Sequence, residues 1–203
     1  MRRHLMCALV LFVYSINCFA QQTFKDERYG FSMEQPKNWL VGDQKLISEN
    51  LDKIKFDDAA LATLIKNNKG SYLLVSFYKY DVTKHAGVIP TIQVNVRNNP
   101  TQNFEQFHQT ITKSTETLKS YFPDFAFVVK PDTTTINGAQ SSYFVGSYTL
   151  NGKNGNTGRV RVTNFAFPHG KFFFQVSFID ELGSAEDESA LFARIARSIK
   201  IGK

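Results

Sequence analysis

SSYFVGSYTLNGKNGNTGRVRVTNFAFPHGKFFFQVSFI, residues 141–179, contains three apolar segments separated by two turn signals. The first turn signal, NGKNGN at 151–156, holds two Asn-Gly pairs, and both residue types accept the positive φ angles of a tight hairpin turn. The second turn signal is Pro168-His169-Gly170. Because strands joined by hairpins pair antiparallel, the stretch predicts three neighbouring strands of one antiparallel sheet.

The third apolar segment, 171–179, is predicted to lie at the centre of this sheet. Every second residue from Phe172 to Phe178 is apolar and shares one face, while Phe173 and Ile179 lie on the other face. A strand that is apolar on both faces must be covered on both sides, which is the position of a central strand.

Two further strands are predicted at 71–80 and 91–97. The segment 71–80 carries apolar residues on both faces. The segment 91–97 alternates strictly, with Ile92, Val94 and Val96 on one face. The opposite face of this strand carries Thr91, Gln93, Asn95 and Arg97.

The segment 103–121 predicts an amphipathic helix. Asn103 is suited to cap its start, with Gln106 three residues further on, and Pro123 is expected to stop it. One side of this helix is apolar and carries Phe104, Phe107, Ile111, Leu118 and Tyr121.

A second helix is predicted at 184–199, where Ser184 and Asp187 form a capping-box pattern ahead of an apolar stripe. A weaker pattern predicts a third helix at 57–68, ended by Gly70. Helices and hairpins together predict an α+β fold, a mostly antiparallel β-sheet with helices packed on its faces.

The first segment, 1–20, has the layout of a secretory signal peptide, with two arginines, a short apolar run and Ala20 before the expected cut. The run is shorter than the about 20 apolar residues that span a bilayer. We therefore expect export, with no transmembrane segment in 21–203. The expected location is the periplasm; the alternatives are the extracellular medium and a lipid anchor on Cys18.

Both cysteines of the chain, Cys7 and Cys18, lie in this first segment, so 21–203 must fold without disulfides. Its length suits a single domain. The formal net charge is +6, and the basic residues are spread along the chain without a basic block. This distribution argues against a nucleic-acid partner.

Five stretches, taken in order, resemble the PsbP-like family. They are YGFSMEQPKNW (29–39), IPTIQVNVRNNPTQNFEQF (89–107), TTINGAQSSYFVGSY (134–148), KFFFQVSF (171–178) and LFARIARSIKI (191–201). The family includes the extrinsic photosystem subunit PsbP, a Ran-binding nuclear protein and exported bacterial proteins such as DcrB. The resemblance implies an α/β/α sandwich, with 21–203 as one PsbP-like domain.

The resemblance also implies an accessory or adaptor role, since the better-known members act in this way. Neither photosystem binding nor Ran binding is carried over, because the residues for them have no counterpart here. We expect a non-catalytic envelope protein that binds another envelope protein through loops 81–90 and 151–158. The alternative is a carrier of a lipid or other small amphipathic ligand. A continuous apolar cavity of several hundred Å³ would favour that alternative.

The single tryptophan, Trp39, follows Pro36, which cannot donate to a β-ladder and is expected to end a strand. We predict that Trp39 folds back as an apolar plug over one end of the sheet. The functional alternative is stacking on a ligand.

No catalytic motif is present. Residues 21–203 have no cysteine and no G-x-S-x-G sequence, and His85, His108 and His169 lie in no recognisable motif. Asp81 and His85 are spaced for a weak metal site, but ordinary loop polarity is the favoured interpretation. An enzyme would need two of these histidines beside a carboxylate.

The carboxylate pairs Asp57-Asp58 and Asp180-Glu181 are interpreted as capping or turn residues rather than as an acid and a base. The sequence NGKNGNTG lacks the spacing of a phosphate-binding loop. We therefore expect no enzyme, and we assign no catalytic, cofactor-binding or metal-binding residue.

Overall fold

The computed structural model of the protein describes residues 22–42, 71–151 and 157–202. The strands are β1 Thr23–Asp26, β2 Phe31–Glu34, β3 Leu40–Gly42, β4 Ser71–Tyr78, β5 Thr91–Asn98, β6 Ala126–Ile136, β7 Ala139–Asn151, β8 Thr157–His169, β9 Phe172–Glu181 and β10 Lys200–Ile201. The helices are α1 Phe104–Glu116, α2 Leu118–Tyr121 and α3 Ser189–Ser198. The large sheet has seven strands in the order β3-β4-β5-β9-β8-β7-β6, and the small sheet has the order β1-β2-β10.

The hairpins predicted from the sequence are confirmed. Strands β7, β8 and β9 pair consecutively and antiparallel, with Asn151 opposite Thr157 and His169 opposite Phe172. The second turn comes slightly later than predicted, because Pro168 and His169 still belong to β8 and Gly170, at φ 59°, makes the turn. Strands β4 and β5 are also present at the predicted places.

Strand β9 is the fourth of seven strands, as its two apolar faces predicted. On one face, Phe174 and Phe178 are buried in a core shared with α3 and β2. On the other face, Phe173 packs against Phe107 of α1, with ring centroids 5.3 Å apart. Helix α1 therefore covers one face of the large sheet, and α3 with the small sheet covers the other. The α+β fold with helices on both faces of an antiparallel sheet is confirmed.

Helix α1 begins as predicted but is shorter. Asn103 Oδ1 accepts a hydrogen bond from Gln106 N at 2.9 Å, so the predicted cap is confirmed. The helix ends at Glu116, and α2 ends at Tyr121, just before Pro123. Hydroxyls in its last turns bond back to carbonyls of the preceding turn, and such bonds bend helices. The hydroxyls are those of Ser114, Thr115 and Thr117.

Helix α3 begins at Ser189, five residues after the predicted start, so the predicted capping box is wrong. Ser184 Oγ accepts from Glu186 N at 3.1 Å, which closes a local turn. Asp187 Oδ1 accepts from Ser189 N at 2.7 Å and also pairs with Arg161. The residues from Ser184 to Glu188 therefore form a turn segment ahead of the helix. Arg161, which is distant in sequence, shares the Asp187 carboxylate that the predicted capping box would have used.

Trp39 is partly buried and packs against the large core, which confirms the predicted apolar plug. Its ring lies 6.1 Å from the Phe192 ring of α3 in an edge-to-face arrangement. Pro36 is buried just beyond the end of β2, as predicted. The tryptophan is therefore explained by packing against α3 and the large core.

The two edges of the large sheet are unlike each other. At one edge, among the described residues, β3 comprises Leu40–Gly42, and Leu40 and Val41 are exposed. At the other edge, the pairing of β6 with β7 is irregular on both sides of Val129, next to Lys130 and Pro131. Bulges, charges and proline disfavour pairing with a further strand.

Some predictions fall outside the described residues. These are the signal peptide 1–20 with Cys18, the helix at 57–68 and the tip of the 151–156 turn. Conversely, strands β1 and β10 were not predicted, because they are too short to show an alternating pattern of apolar residues. In the part of the chain that the structure describes, no helix has the length and apolar character needed to cross a bilayer.

The turn between β6 and β7 fixes the end of α3. Asn137 and Gly138 have φ angles of 48° and 81°, as a two-residue hairpin turn requires. The Asn137 side chain donates to Arg197 O at 2.7 Å and to Ile199 O at 2.8 Å. These carbonyls lie at the C-terminus of α3, where helical partners are missing.

We expect Asn137→Ala to destabilise the protein by about 1 kcal/mol more than Asn38→Ala, measured by urea unfolding. Both residues are exposed and have positive φ, so alanine is strained at both positions. Only Asn137 also bonds to helix carbonyls. Equal losses of unfolding free energy would show that these two hydrogen bonds do not stabilise α3.

Candidate functional site

A cleft of about 490 Å³ runs beside α1, over the face of β5, β9 and β8. Its apolar surface is aromatic and aliphatic, and comes from both the helix and the sheet. The residues that supply it include Phe107, Ile111, Leu118, Phe144 and Phe173. Polar residues line the rest, chiefly on the sheet side and along one rim of the helix.

Strand alternation and register place the polar residues of the cleft. Arg97 lies directly opposite Phe173 across the β5–β9 pairing, and Gln175 lies two residues further along β9. Asn164 of β8 lies opposite Ser177 of β9, and the side-chain amide of Asn164 donates to Ser177 Oγ at 2.7 Å. Because side chains two residues apart share a face, these groups form a polar floor on the α1 side of the sheet.

Arg97 is the charged group of the cleft. Its Nη1 donates to Gln175 Oε1 at 2.9 Å, and its guanidinium carbon lies 6.0 Å from the centre of the Phe173 ring. No ion pair joins Arg97 to any carboxylate of residues 22–42, 71–151 and 157–202. Burial lowers the pKa of Arg97, because an uncompensated charge is less favourable away from water.

Hydrogen bonds of Asn99 tie down the rim beside Arg97. Asn99 Oδ1 accepts from Thr101 N at 3.1 Å and from Thr101 Oγ1 at 2.6 Å. The Asn99 amide donates to Gly170 O at 3.1 Å, which ties this rim to the β8–β9 turn. Three hydrogen bonds therefore hold this end of the cleft.

Of the two loops predicted to form an interface, the 81–90 loop meets the start of β8 at the opposite end of the sheet, while 152–156 lie outside the described residues. A side chain at Gly158 would come within 2.6 Å of Val88 Cγ2, so the 81–90 loop packs onto the start of β8. Lys79 Nζ lies 2.6 Å from carboxylate oxygens of both Glu186 and Glu188. Burial alone would lower the pKa of Lys79, but hydrogen bonds to these carboxylates outweigh it and raise the pKa.

Arg161 holds the neighbouring acidic segment. Its Nε donates to Asp180 Oδ1 at 2.9 Å, and its Nη2 donates both to Asp180 and to Asp187 Oδ1, the latter at 2.8 Å. Asp180 is fully buried within β9 directly opposite Arg161, so its predicted role as a capping or turn residue is wrong. Arg161 and Asp180 lie on the same face of the adjacent strands β8 and β9. Predicting their ion pair from the sequence would have required the register of these two strands.

The three histidines have separate partners. His85 stacks on Tyr80 at 4.4 Å, His108 Nδ1 lies 2.9 Å from Ser142 Oγ, and His169 lies 5.0 Å from the Phe172 ring. In the described ranges, no hydrogen bond, ion pair or ring contact joins two of these histidines.

The side chains of Asp81 and His85 each contact other residues. Asp81 accepts from Thr83 and pairs with Lys84 at 3.4 Å, while its backbone carbonyl accepts from His85 N. Within the described residues, no three His, Cys, Asp or Glu side chains gather as metal ligands. The hydrogen bonds and ion pair of Asp81 are those of a local turn.

Sequence reasoning placed Arg97 on the polar face of its strand but did not single it out. A signal was available, because β9 was predicted to need cover on both faces. A cation on that face of the strand next to β9 should therefore lie between the sheet and its covering helix rather than in solvent. Recognising this required knowing that β5 is that neighbour.

No protein-family model and no curated protein matches the chain. Among solved structures, a crystal structure from Bacteroides thetaiotaomicron VPI-5482 is similar, with a TM-score of 0.52 and 12% identity over 90% of this chain. The match covers 49% of that protein, so the chain spans about half of its length. At this identity, the likeness is one of fold alone.

Two further solved structures are similar over most of their length. Cyanobacterial PsbP from Synechocystis sp. PCC 6803 has a TM-score of 0.49 and 11% identity, covering 93% of this chain and 96% of its own. LpqN of Mycobacterium tuberculosis, involved in cell envelope biogenesis, has a TM-score of 0.49 and 12% identity, covering 92% and 88%.

We expect Asp187→Asn to lower stability at neutral pH and to matter less in acid. Hydrogen bonds from Ser189 and Arg161 hold the pKa of Asp187 below its ordinary value of 3.8. A depressed carboxyl pKa stabilises the folded state above the unfolded pKa and loses this effect as the pH falls towards the folded pKa. The difference in urea midpoint between wild type and variant should therefore shrink below about pH 4.

Asp132→Asn is the control, since Asp132 is exposed and forms no ion pair within the described residues. Its difference from wild type should stay small across the same range. A constant gap for Asp187→Asn would mean that its carboxylate charge does not stabilise the fold.

Proposed function

We propose that the protein is an exported, non-catalytic binding protein that holds a small amphipathic molecule in the cleft beside α1. The cleft volume of about 490 Å³ carries this proposal, because small-molecule sites typically measure roughly 300–1,000 Å³. Export rests on the signal-peptide pattern of residues 1–20. The adaptor role ranked first from the sequence, and the cleft moves the carrier role ahead of it.

The character of the walls supports the proposal. Apolar side chains from α1 and from the sheet face each other, and Phe107 meets Phe173 edge to face at the base. Polar groups cluster around Arg97 and Gln175 near one end of β5. A molecule with an apolar body and one polar end matches both regions.

The elements that carry the cleft are packed and paired. Ala166 and Phe173 are buried under α1, and the strands that carry them are paired on both sides. A site on paired strands and a packed helix loses little conformational entropy on binding. The ordering cost that weakens flexible sites is therefore small here.

We expect Ser114→Trp to weaken binding of the neutral fluorescent probe phenylnaphthylamine by about tenfold or more, a loss of about 1.4 kcal/mol. Ser114 is an exposed position of α1 that lines the cleft, and an indole there would occupy the space of the ligand. Probe fluorescence titrated against purified protein measures the affinity.

Lys113→Trp is the matched control, since Lys113 is the exposed neighbour on the same helix and does not line the cleft. It should bind the probe as wild type does, and thermal unfolding of both variants should stay close to wild type. Absence of saturable binding to wild type, or equal loss in both variants, would refute the proposal.

The adaptor role is the second candidate, and the packing of the 81–90 loop on the start of β8 favours it. The packing of Val88 on Gly158 unites the 81–90 loop and the start of β8 into one surface. Ion pairs of Lys79 with Glu186 and Glu188 brace the same end. A braced loop surface suits recognition of another exported protein.

Photo-crosslinking in living cells tests this role. A photoreactive residue replacing Lys84, whose side chain is 82% exposed, should give one dominant protein adduct. The same residue replacing Gln140, exposed at the opposite end of the sheet, should not give that adduct. Matching adducts at both positions, or scattered background alone, would remove the adaptor role.

A further inference from the structure

We propose that the ligand of the cleft carries a single negative charge, a carboxylate, bound by the Arg97 guanidinium with its apolar tail along α1. This inference rests on the proposed function and adds the chemical class of the ligand. Three observations carry it: the unpaired donors of Arg97, the charge balance of the lining and the direction in which the cleft extends.

Arg97 has donors to spare. A guanidinium offers five N–H groups, and one contact, from Nη1 to Gln175 Oε1, is made to the described residues. The Phe173 ring on its flank supplies a cation–π contact but accepts no charge. The remaining donors suit a planar carboxylate, which arginine binds through two parallel hydrogen bonds.

The lining is unbalanced in charge. Among the described residues that line the cleft, Arg97 is the only lysine or arginine, and no aspartate or glutamate is present. A half-buried cation without a counter-ion is unfavourable, and the lowered pKa of Arg97 reflects this cost. A bound monoanion neutralises it, whereas a doubly charged phosphate monoester would leave one charge unbalanced.

The shape of the cleft sets the direction of the ligand. Arg97 lies near the end of β5, beside the start of α1, and the cleft continues along the helix to Leu118. Ile111 and Phe144 line the intervening length. Burying an alkyl chain there gains about 0.8 kcal/mol per methylene, so a carboxylate at Arg97 with an aliphatic tail satisfies both ends.

Competition of decanoate and decanol against phenylnaphthylamine tests the inference on the purified full chain. Wild type should bind decanoate about tenfold or more tightly than decanol, since a charge-assisted hydrogen bond is worth that factor. In Arg97→Gln, decanoate should fall to the affinity of decanol, while decanol itself should bind unchanged. Arg97→Lys should keep a preference for decanoate.

Arg197→Gln is the matched control, because Arg197 is exposed on α3, on the other side of the sheet. It should keep the full preference for decanoate. Unchanged decanol affinity in Arg97→Gln shows at the same time that the cleft is intact.

The outcomes separate the two proposals. If wild type binds decanol as tightly as decanoate, the carboxylate inference is wrong, although the cleft remains a ligand site. A preference that survives Arg97→Gln would overturn Arg97 as the anchor. Tighter binding of decyl phosphate than of decanoate would replace the carboxylate by a phosphate. If neither compound displaces the probe from wild type, both proposals fail.

Discussion

The burial of β9 on both faces is the constraint on which the fold depends. Its odd-numbered and even-numbered residues face different layers, so Phe173 requires α1 while Phe174 and Phe178 require α3 and the small sheet. Neither layer could be removed without exposing large aromatic groups, each worth about 2 kcal/mol when buried. The cleft follows from the same constraint, because α1 covers β7 and β8 more fully than it covers β5.

The parts of the fold that depend on local patterns could be predicted. Asn-Gly turns, strict alternation and a seven-residue apolar spacing depend on a few consecutive residues, and they correctly gave the β7–β8–β9 meander, β5 and the start of α1. The packing of Trp39 against the core was also predicted correctly, since a large aromatic side chain that follows a strand-ending proline can fold back onto the sheet. Strands as short as β1 and β10 carry too little pattern to be recognised.

The features that depend on long-range pairing could not be predicted. At the start of α3, the Asp187 carboxylate bonds both to Ser189 N and to Arg161, a partner that local sequence does not reveal. The role of Asp180 depends on the β8–β9 register, which places it opposite Arg161. Likewise, Arg97 reads as one polar residue among several until the β5–β9 pairing sets it beside Phe173. Local sequence shows which residues are apolar, polar or charged, whereas the cleft beside α1 depends on which strands become neighbours in the sheet.

The pairing of β5 with β9 also bears on how the chain assembles. Strands β6 to β9 are linked by successive short turns, but Thr91 must find Ile179 and Asn98 must find Phe172 across the whole intervening chain. Loop closure of that length is slow compared with hairpin formation. The C-terminal meander is thus suited to form first and to act as a template for the N-terminal strands. Until β5 docks, one face of the cleft is missing, so the cleft is complete only after the N-terminal strands have joined the meander.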